Sequence, residues 1–324
     1  MTSKLGERVV VHAPAKVNLE LRVGPLQDDG YHPLVSVFQA VSLFEEVVAS
    51  TTASGTGISV TVRGPGAAQV PTDGSNLAVR AARLLAERAG VEPAAHLSLR
   101  KAAPVAGGMA GGSADAAATL LACDLLWDAG LSREELLALA AELGSDVPFA
   151  LVGGTALGTG RGDRVTPVLA RGEFHWVLAL AETGLSTPAV YAEHDRLVAA
   201  AAAVPDLEPR VSDDLAAALL AGDPVSLGAC LSNDLQAAAL SLRPELRAVV
   251  RLGEEHGALG ILLSGSGPTV ALLASGSDQA LELAVALTAS GVAADVRRVT
   301  GPVPGARQVE SAAVSPLHPS RRGR

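Results

Sequence analysis

The sequence predicts an α+β protein with two domains, and three observations lead to this prediction. The 324 residues are long enough for two domains or one large one, and 48% of them are hydrophobic. A boundary is predicted near residues 166–172, which favours domains over 1–168 and 169–300. Beyond the boundary, strands are mixed irregularly with helices, an order that favours helices packed on an antiparallel sheet.

The first half opens with strands, which are predicted from alternating apolar residues between turn residues. The helix over 76–90 has a cap at Asn76, helically spaced apolar residues and a terminal glycine. A capping box of Ser132 and Glu135 begins the helix over 132–143. The predicted elements of this half are strands 8–13, 17–23, one or two within 34–50, 57–63 and 96–101, helices 76–90, 114–128 and 132–143, and a hairpin or loop over 153–162.

The second half contains the same kinds of segment and ends in a stretch of different composition. Residues 301–324 contain several prolines and end in Arg-Arg-Gly-Arg, which predicts a disordered tail. The predicted elements before it are strand 174–180, helices 188–202, 212–220, 224–230 and 244–256, strands 260–264 and 268–274, helix 277–288 and strand 292–298.

Composition excludes several classes of protein. Aspartate and glutamate number 34 against 25 lysines and arginines, and a net charge of −9 argues against nucleic acid as the main partner. No apolar run approaches 18 residues and no secretory signal opens the chain, so we expect a cytoplasmic protein without a membrane span. Cys123 and Cys230 lie far apart without metal-ligand spacing.

The most informative segment is the glycine-rich loop over 104–118, which leads directly into a predicted helix. Its glycines allow positive φ angles and close approach to a ligand, and Ser113 is predicted to cap the helix. A helix start offers free N–H groups and the positive end of a dipole, which suit a phosphate. No lysine follows Gly112 as in a P-loop, and the acidic residues about 20 positions on, Glu134 and Glu135, lie in a helix. A flexible turn before a core helix is the alternative.

Three further segments carry candidate chemistry. Lys16, within Pro14–Leu19, points either into a cleft or to solvent at a sheet edge. Asp146, within Gly144–Phe149, is either a general base or the N-cap of a short helix with Pro148 in its first turn. The loop over 263–269 is either a tight hairpin or a wall against a phosphate.

Together these segments resemble the GHMP kinases. The family motif Pro-x-x-x-Gly-Leu-Gly-x-Ser-Ser is similar to Pro104–Ala114, with Met109, Ala110 and Ala114 as departures. Gly30-Tyr31-His32 resembles more specifically the branch that phosphorylates an alcohol linked to cytidine diphosphate. The resemblance covers about residues 8–300 and implies an N-terminal domain like domain 2 of ribosomal protein S5 and a C-terminal ferredoxin-like α/β sandwich.

The resemblance implies transfer of the γ-phosphoryl group of ATP to the 2-hydroxyl of 4-diphosphocytidyl-2-C-methyl-D-erythritol, in the non-mevalonate isoprenoid pathway. Asp146 would take the hydroxyl proton, and Lys16 would sit beside it. Mg²⁺ would bridge the phosphates; its protein ligands stay open, and Asp115 would face the metal or solvent. The implied ATP-binding residues are Asn76, Leu77, Lys101, Pro104, Val105, Ala106, Gly107, Gly108, Met109, Ala110, Gly111, Gly112, Ser113 and Ala114.

For the cytidine end, the resemblance implies that Tyr31 and Tyr191 stack on the base while His32 hydrogen-bonds to it. It also implies that Asn18, Phe38 and Thr187 line the substrate pocket. Alternatives remain: Phe38 as a core residue, Asn76 as a helix cap, and Thr187 as a helix start before Pro188. The alternative functions are a homoserine or mevalonate type of GHMP kinase, or a non-catalytic nucleotide-binding protein. A monomer or weak homodimer is expected.

Overall fold

The computed structural model describes residues 7–201 and 210–309. Its strands form two sheets, one mixed and one antiparallel, with helices packed against both, so the α+β prediction is confirmed. In chain order the elements are β1 (Arg8–Val23), β2 (Leu34–Thr51), β3 (Ile58–Arg63), α1 (Leu77–Ala89), β4 (Ala95–Arg100), α2 (Gly111–Trp127), α3 (Arg133–Leu143), α4 (Val147–Val152), β5 (Thr155–Thr159), β6 (Arg164–Pro167), β7 (Phe174–Leu180), α5 (Thr187–Ala200), α6 (Asp213–Ala221), α7 (Pro224–Cys230), β8 (Ser232–Asn233), α8 (Gln236–Leu242), α9 (Leu246–Glu255), β9 (Gly260–Leu263), β10 (Val270–Ala274), α10 (Ser277–Ser290), β11 (Asp295–Gly301) and β12 (Arg307–Val309).

The larger sheet has the strand order β12-β1-β2-β4-β3, with β5 and β6 extending from one end of β2 and β8 beside β1. Helices α1, α2 and α3 contribute, with this sheet, to one hydrophobic core. The alanines of α2 over 114–118 are completely buried, because their short side chains let the helix lie close to its neighbours. The glycine loop enters this core as the first turn of α2.

The smaller sheet is antiparallel, in the order β11-β7-β10-β9. One face shares a core with β1 and β2, in which Leu19 packs in the same cluster as Trp176. The other face is covered by α5, α8, α9 and α10. The indole N–H of Trp176 donates to Gln39 Oε1 at 3.0 Å inside this region. The two sheets are therefore held in a defined relation, and the cavity described below lies between them.

Several elements differ from the sequence prediction. Residues 8–13 and 17–23 form one strand, in which the pairing with β2 shifts register after Pro14 and again between Asn18 and Glu20. A proline in a strand is tolerated at such an irregularity because it donates no ladder hydrogen bond. The elements missed altogether are α8, β8 and β12, and α4 is the short helix that was given only as an alternative at Asp146. The predicted hairpin over 153–162 is β5 and the turn after it, and the partner strand β6 lies beyond the predicted range.

The prediction of a disordered tail is wrong for residues 301–309. Strand β12 pairs with β1 through Val10 and Val309, and Ala306 N–H donates to the Ala150 carbonyl at 2.9 Å. Sheet pairing satisfies backbone groups that the proline-rich composition led us to assign to solvent. Residues 310–324 lie outside the described part of the chain.

Candidate active site

A cavity of about 1170 Å³ opens between the two sheets, and all four of the segments singled out from the sequence reach its wall. Short segments that lie far apart in the sequence, the first and last by more than 200 residues, therefore meet at one cavity. The predicted site residues that line it are Lys16, Asn18, Tyr31, His32, Phe38, Asn76, Leu77, Lys101, Pro104, Val105, Ala106, Gly107, Gly108, Ala110, Gly111, Gly112, Ser113, Asp146, Thr187 and Tyr191.

Two predicted members of the glycine loop do not line the cavity. Met109 is 1% exposed and packs in the core between the sheets, and Ala114 is completely buried in the core beneath α2. Their side chains are packed in these cores and are absent from the cavity lining. The side chains at these two positions thus support the loop and do not touch what it holds.

Lys16 is fixed at the cavity wall by its own backbone. The Lys16 N–H donates to the Met109 carbonyl at 3.2 Å, and the Lys16 carbonyl accepts from Ser264 Oγ at 3.3 Å. These contacts fill the edge of β1 between the stretch that pairs with β12 and the stretch that pairs with β8. The glycine loop and the turn over 264–267 are thereby docked on the same residue, and Ser264 Oγ also donates to the Gly108 carbonyl at 3.0 Å.

The Lys16 side chain is 4% exposed, and its ammonium donates to Asn18 Oδ1 at 2.6 Å. The amide of Asn18 donates in turn to Ser36 Oγ at 2.7 Å. Burial lowers the pKa of Lys16, and the negative charge of Asp146 acts in the opposite direction. Lys16 and Asp146 thus share the cavity, but among the described residues the hydrogen bond of this ammonium goes to Asn18.

Asp146 precedes α4 at the N-cap position, but its carboxylate makes no capping hydrogen bond. The geometry therefore does not support the alternative that the Asp146 side chain serves as a structural helix cap. The carboxylate lines the cavity, and its charge raises the pKa of Tyr191 in addition to the larger effect of burial, to about 12. Asp146 acts electrostatically on both Lys16 and Tyr191, as a carboxylate facing a shared space would.

The glycine loop has left-handed backbone at three positions: Ala106 (φ 51°), Gly108 (φ 77°) and Ala110 (φ 59°). A Cβ on Gly108 would lie 2.0 Å from the Ser264 carbonyl oxygen, so this position requires glycine. Ala110 adopts the same region at a cost of about 1–2 kcal/mol for an L-residue. Strain of this kind is held in place by surrounding contacts and is common at ligand-binding loops.

Helix α2 begins at Gly111 with Ala110 as its N-cap, three residues earlier than expected. Ser113 therefore lies in the first turn and is not the cap that the sequence predicted. The first N–H groups of a helix have no intrahelical partner, and here they border the cavity. A Cβ built on Gly112 would meet nothing within 4 Å, so open space lies directly over the helix start, as an anion site requires.

At the opposite end of the cavity, Tyr31 is 53% exposed and carries the guanidinium of Arg161 over its ring, 3.7 Å from the ring centroid. Arg161 also pairs with Asp29 at 2.9 Å. Sequence reasoning missed Arg161, although an arginine between two glycines in a predicted hairpin was an available signal. The arrangement holds one face of Tyr31 against a cation.

His32 is buried, and its Nδ1–H donates to the Gly24 carbonyl at 2.8 Å. Its ring stacks on Tyr191 with centroids 5.1 Å apart, and Nε2 lies 3.4 Å from Asp195 Oδ2. Because Nδ1 uses its proton on the carbonyl, Nε2 is the ring atom available to a ligand. Asp195, one helical turn after Tyr191, is a second cavity residue that the sequence analysis did not find.

The three residues with structural alternatives have those structural roles and also line the cavity. Phe38 is 3% exposed and packs on Phe149 with centroids 5.1 Å apart, yet it borders the cavity. Asn76 caps α1 by accepting from the Ala78 N–H at 2.8 Å. Thr187 begins α5, and its hydroxyl is 2.8 Å from Ser266 Oγ.

Lys101 differs from the prediction in its surroundings. Its ammonium lies 3.2 Å from Glu45 Oε1 and contacts Asp115 Oδ2, and all three side chains are buried. Burial raises the pKa of Glu45 to about 7 and also raises that of Asp115, against the attraction of Lys101. Asp115 is 4% exposed, so the expectation that it could face solvent is wrong.

Comparison with known proteins agrees with this geometry. The family models for the N-terminal and C-terminal domains of GHMP kinases match residues 76–154 and 215–293. A 4-diphosphocytidyl-2-C-methyl-D-erythritol kinase of Nocardia farcinica is 55% identical over 96% of this chain and 99% of that protein. The kinase of the same name from Thermobifida fusca is 57% identical over 93% and 98%.

Solved structures give the same result. A crystal structure of 4-(cytidine 5'-diphospho)-2C-methyl-D-erythritol kinase matches with a TM-score of 0.73 and 34% identity, covering 91% of this chain and 98% of that one. A homoserine kinase from Cytophaga hutchinsonii matches with a TM-score of 0.71 at 19% identity, covering 95% and 99%, a likeness of fold alone. No helix in the described part of the chain is long and apolar enough to cross a bilayer.

Proposed function

The chain belongs to the 4-diphosphocytidyl-2-C-methyl-D-erythritol kinases of the GHMP family, and we propose that its cavity transfers the γ-phosphoryl group of ATP to the 2-hydroxyl of that cytidyl alcohol. Its place is the non-mevalonate route to isoprenoid precursors. The observation that carries the proposal is the cavity itself, whose wall includes the start of α2, Lys16, Asp146 and the segment of Tyr31 and His32. The proposed phosphate-binding loop and the candidate general base thus border the same cavity.

We assign the nucleotide to the end lined by Asn76, Leu77, Lys101 and the loop. The open N–H groups at the start of α2 bind its phosphates, with the helix dipole adding to the attraction. The γ-phosphorus–oxygen bond to the β-phosphate breaks while a bond to the substrate oxygen forms. Positioning and electrostatics supply most of the catalysis of such a transfer.

Asp146 takes the proton of the attacking hydroxyl, because its carboxylate faces the cavity without a capping role. Lys16 supplies positive charge where charge develops on the transferred group. Its hydrogen bond to Asn18 and its backbone bonds to Met109 and Ser264 hold the ammonium in one position. Preorganisation of this kind avoids rearrangement during the reaction.

The cytidine end lies at Tyr31, His32 and Tyr191. The aromatic rings of the two tyrosines offer stacking surfaces to the base. With Nδ1–H committed to Gly24, Nε2, which lies beside Asp195, is the ring atom of His32 left for a hydrogen bond to the base. Asn18, Phe38 and Thr187 form the wall between this end and the phosphates.

ATP acts in kinases together with Mg²⁺, which neutralises charge on the phosphates. The cavity fits a metal held mainly by the nucleotide, because the described residues contain no group of three or more His, Cys, Asp or Glu side chains placed to hold an ion. A carboxylate that lines the cavity would supply the remaining protein ligand.

We also propose that the protein works in the cytoplasm as a monomer or weak homodimer. Two free cysteines, one of them fully buried, suit a reducing compartment. Every residue assigned to the site comes from a single chain, so the reaction requires no second copy.

The test is a phosphoryl-transfer assay on the purified chain with ATP and each of three alcohols: the cytidyl substrate, homoserine and mevalonate. We expect turnover of the cytidyl substrate alone. Turnover of homoserine or mevalonate without the cytidyl substrate would assign a different substrate. No turnover of any of them would favour a nucleotide-binding protein without catalysis.

Asp146→Asn tests the base. The variant should bind ATP with unchanged affinity and lose at least about 10²-fold in turnover, the lower end of a general base's contribution. Asp163→Asn is the matched control, because Asp163 also lines the cavity but accepts a turn hydrogen bond from the Arg161 N–H. Near-normal turnover by Asp146→Asn would remove Asp146 from the mechanism.

A further inference from the structure

The two oxygens of Asp115 have different surroundings. Asp115 directly follows the first turn of α2, lines the cavity and is 4% exposed. Its Oδ2 accepts from the ammonium of Lys101. Its Oδ1 is buried and has no hydrogen-bond partner within residues 7–201 and 210–309. A buried carboxylate oxygen without a partner is costly, so an occupant of the cavity is expected to satisfy it.

Neighbouring charges do not supply the missing partner. Lys101 already contacts Glu45 Oε1 as well as Asp115. Glu45 in turn accepts from the backbone N–H groups of Ala102 and Ala103, both at 3.0 Å. One ammonium therefore serves two carboxylates, and the cluster carries an excess negative charge whenever both are ionised. A cation at Oδ1 would balance that excess.

The position of Oδ1 restricts which cation fits. Asp115 directly follows the first turn of α2, whose free N–H groups border the cavity where the phosphates are proposed to bind. A bare triphosphate would be repelled by Asp115, whereas a divalent cation between them is attracted to both. Mg²⁺ prefers carboxylate and phosphate oxygens and is commonly held by one or two carboxylates plus substrate phosphates, keeping several waters.

We propose that Asp115 Oδ1 is the protein ligand of the Mg²⁺ that enters with ATP, an inference that rests on the function proposed above. Lys101 and Glu45 position the ligand: Lys101 holds Oδ2, and the backbone bonds of Glu45 hold the far side of the cluster. Asp115 thus makes nucleotide affinity depend on the metal, repelling the metal-free form and binding the metal-bound form.

The experiment compares the wild type with Asp115→Asn in binding a non-hydrolysable ATP analogue by calorimetry, once with Mg²⁺ and once with EDTA. For the wild type we expect Mg²⁺ to increase affinity. For Asp115→Asn, affinity in EDTA should be equal or higher, and the increase caused by Mg²⁺ should shrink at least about tenfold. Equal weakening in Mg²⁺ and in EDTA would overturn the proposal and assign Oδ1 to a donor on the nucleoside.

Asp128→Asn is the matched control. It removes the same charge from the same helix at its C-cap, about 20 Å along the axis, where Asp128 has a left-handed backbone that asparagine tolerates. It should leave both affinities unchanged. An equal response of the two variants would mean a general charge effect and would also overturn the assignment.

A second measurement does not depend on the variant folding. With Mn²⁺ in place of Mg²⁺ and the aspartate carboxylates labelled with ¹³C, electron–nuclear double resonance of the wild-type nucleotide complex should reveal a coupled carboxylate carbon. Its absence would overturn the proposal, and its persistence in a folded Asp115→Asn protein would move the ligand to another aspartate. Neither measurement includes the alcohol, so a wrong substrate assignment leaves both results unaffected.

Discussion

Lys16 and Lys101 are both 4% exposed at the wall of one cavity, yet they are held in opposite ways. The ammonium of Lys101 contacts two buried carboxylates, those of Glu45 and Asp115. The ammonium of Lys16 donates to a neutral amide, Asn18, and feels Asp146 only as a charge across the cavity. The first arrangement neutralises a lysine for stability, and the second keeps its charge available to a ligand.

This comparison shows that two equally buried lysines can have different functions within one site, because their partners differ. Burial lowers the pKa of Lys16, and no carboxylate contact offsets that effect as it does in an ion pair. A buried ammonium that lacks a carboxylate contact gains favourable interaction energy when a phosphate binds beside it. The ammonium of Lys101 already contacts two carboxylates of the protein, so its role is to hold Asp115, near the start of α2, in position.

The largest expected effect separates the two lysines by activity. Lys16→Met should lower turnover by about 10²–10³-fold, because it removes charge stabilisation from the transition state. The free energy of unfolding should change by less than about 2 kcal/mol, because the lost hydrogen bond to Asn18 is offset by removal of a buried charge. Steady-state kinetics and urea denaturation measure the two quantities. Near-normal turnover would contradict the assigned role of Lys16.

The same substitution at the other lysine should act on stability. Lys101→Met leaves Glu45 and Asp115 buried without their cation, and breaking a buried pair typically costs about 3–5 kcal/mol. Urea denaturation of Lys101→Met and Lys16→Met side by side provides the comparison, since the two changes are chemically identical. The distinction fails if the Lys16 variant proves to be the less stable of the two.

The smallest effect is a pH dependence. Burial raises the pKa of Glu45 from an ordinary 4.5 to about 7, so between these values the native state keeps a proton that the unfolded state has released. The stability contribution of Glu45 is fully present below about pH 4.5 and is lost as pH rises through about 7. Glu45→Gln should therefore flatten the fall in unfolding free energy across this interval.

Urea denaturation at a series of pH values checks this, with Glu87→Gln on the exposed face of α1 as the control. The control should follow the wild-type profile. A Glu45→Gln profile as steep as that of the wild type would mean that Glu45 is ionised throughout, and that Lys101 outweighs the effect of burial.

Local signals were sufficient for many elements of the fold. Helices α1 and α3 begin where Asn76 and the capping box of Ser132 and Glu135 predict, because a cap is a contact within one turn. Strand β12 and the continuity of β1 through Pro14 were missed, because each depends on a partner strand distant in sequence. Composition alone reads residues 301–309 as a tail, whereas an open edge of β1 makes them a strand.

The chemistry of the site divides in the same way. Residue types and spacing were enough to indicate a candidate phosphate-binding loop, a lysine and a carboxylate, because these groups act through their own functional chemistry. The predicted base-stacking segment came from the family resemblance alone. The partners of Lys101 and the position of Arg161 over Tyr31 were beyond the reach of motif reading, because they join segments between 14 and 130 residues apart. Which lysine is neutralised and which stays available is settled by packing, since burial and distance set the cost of each charge.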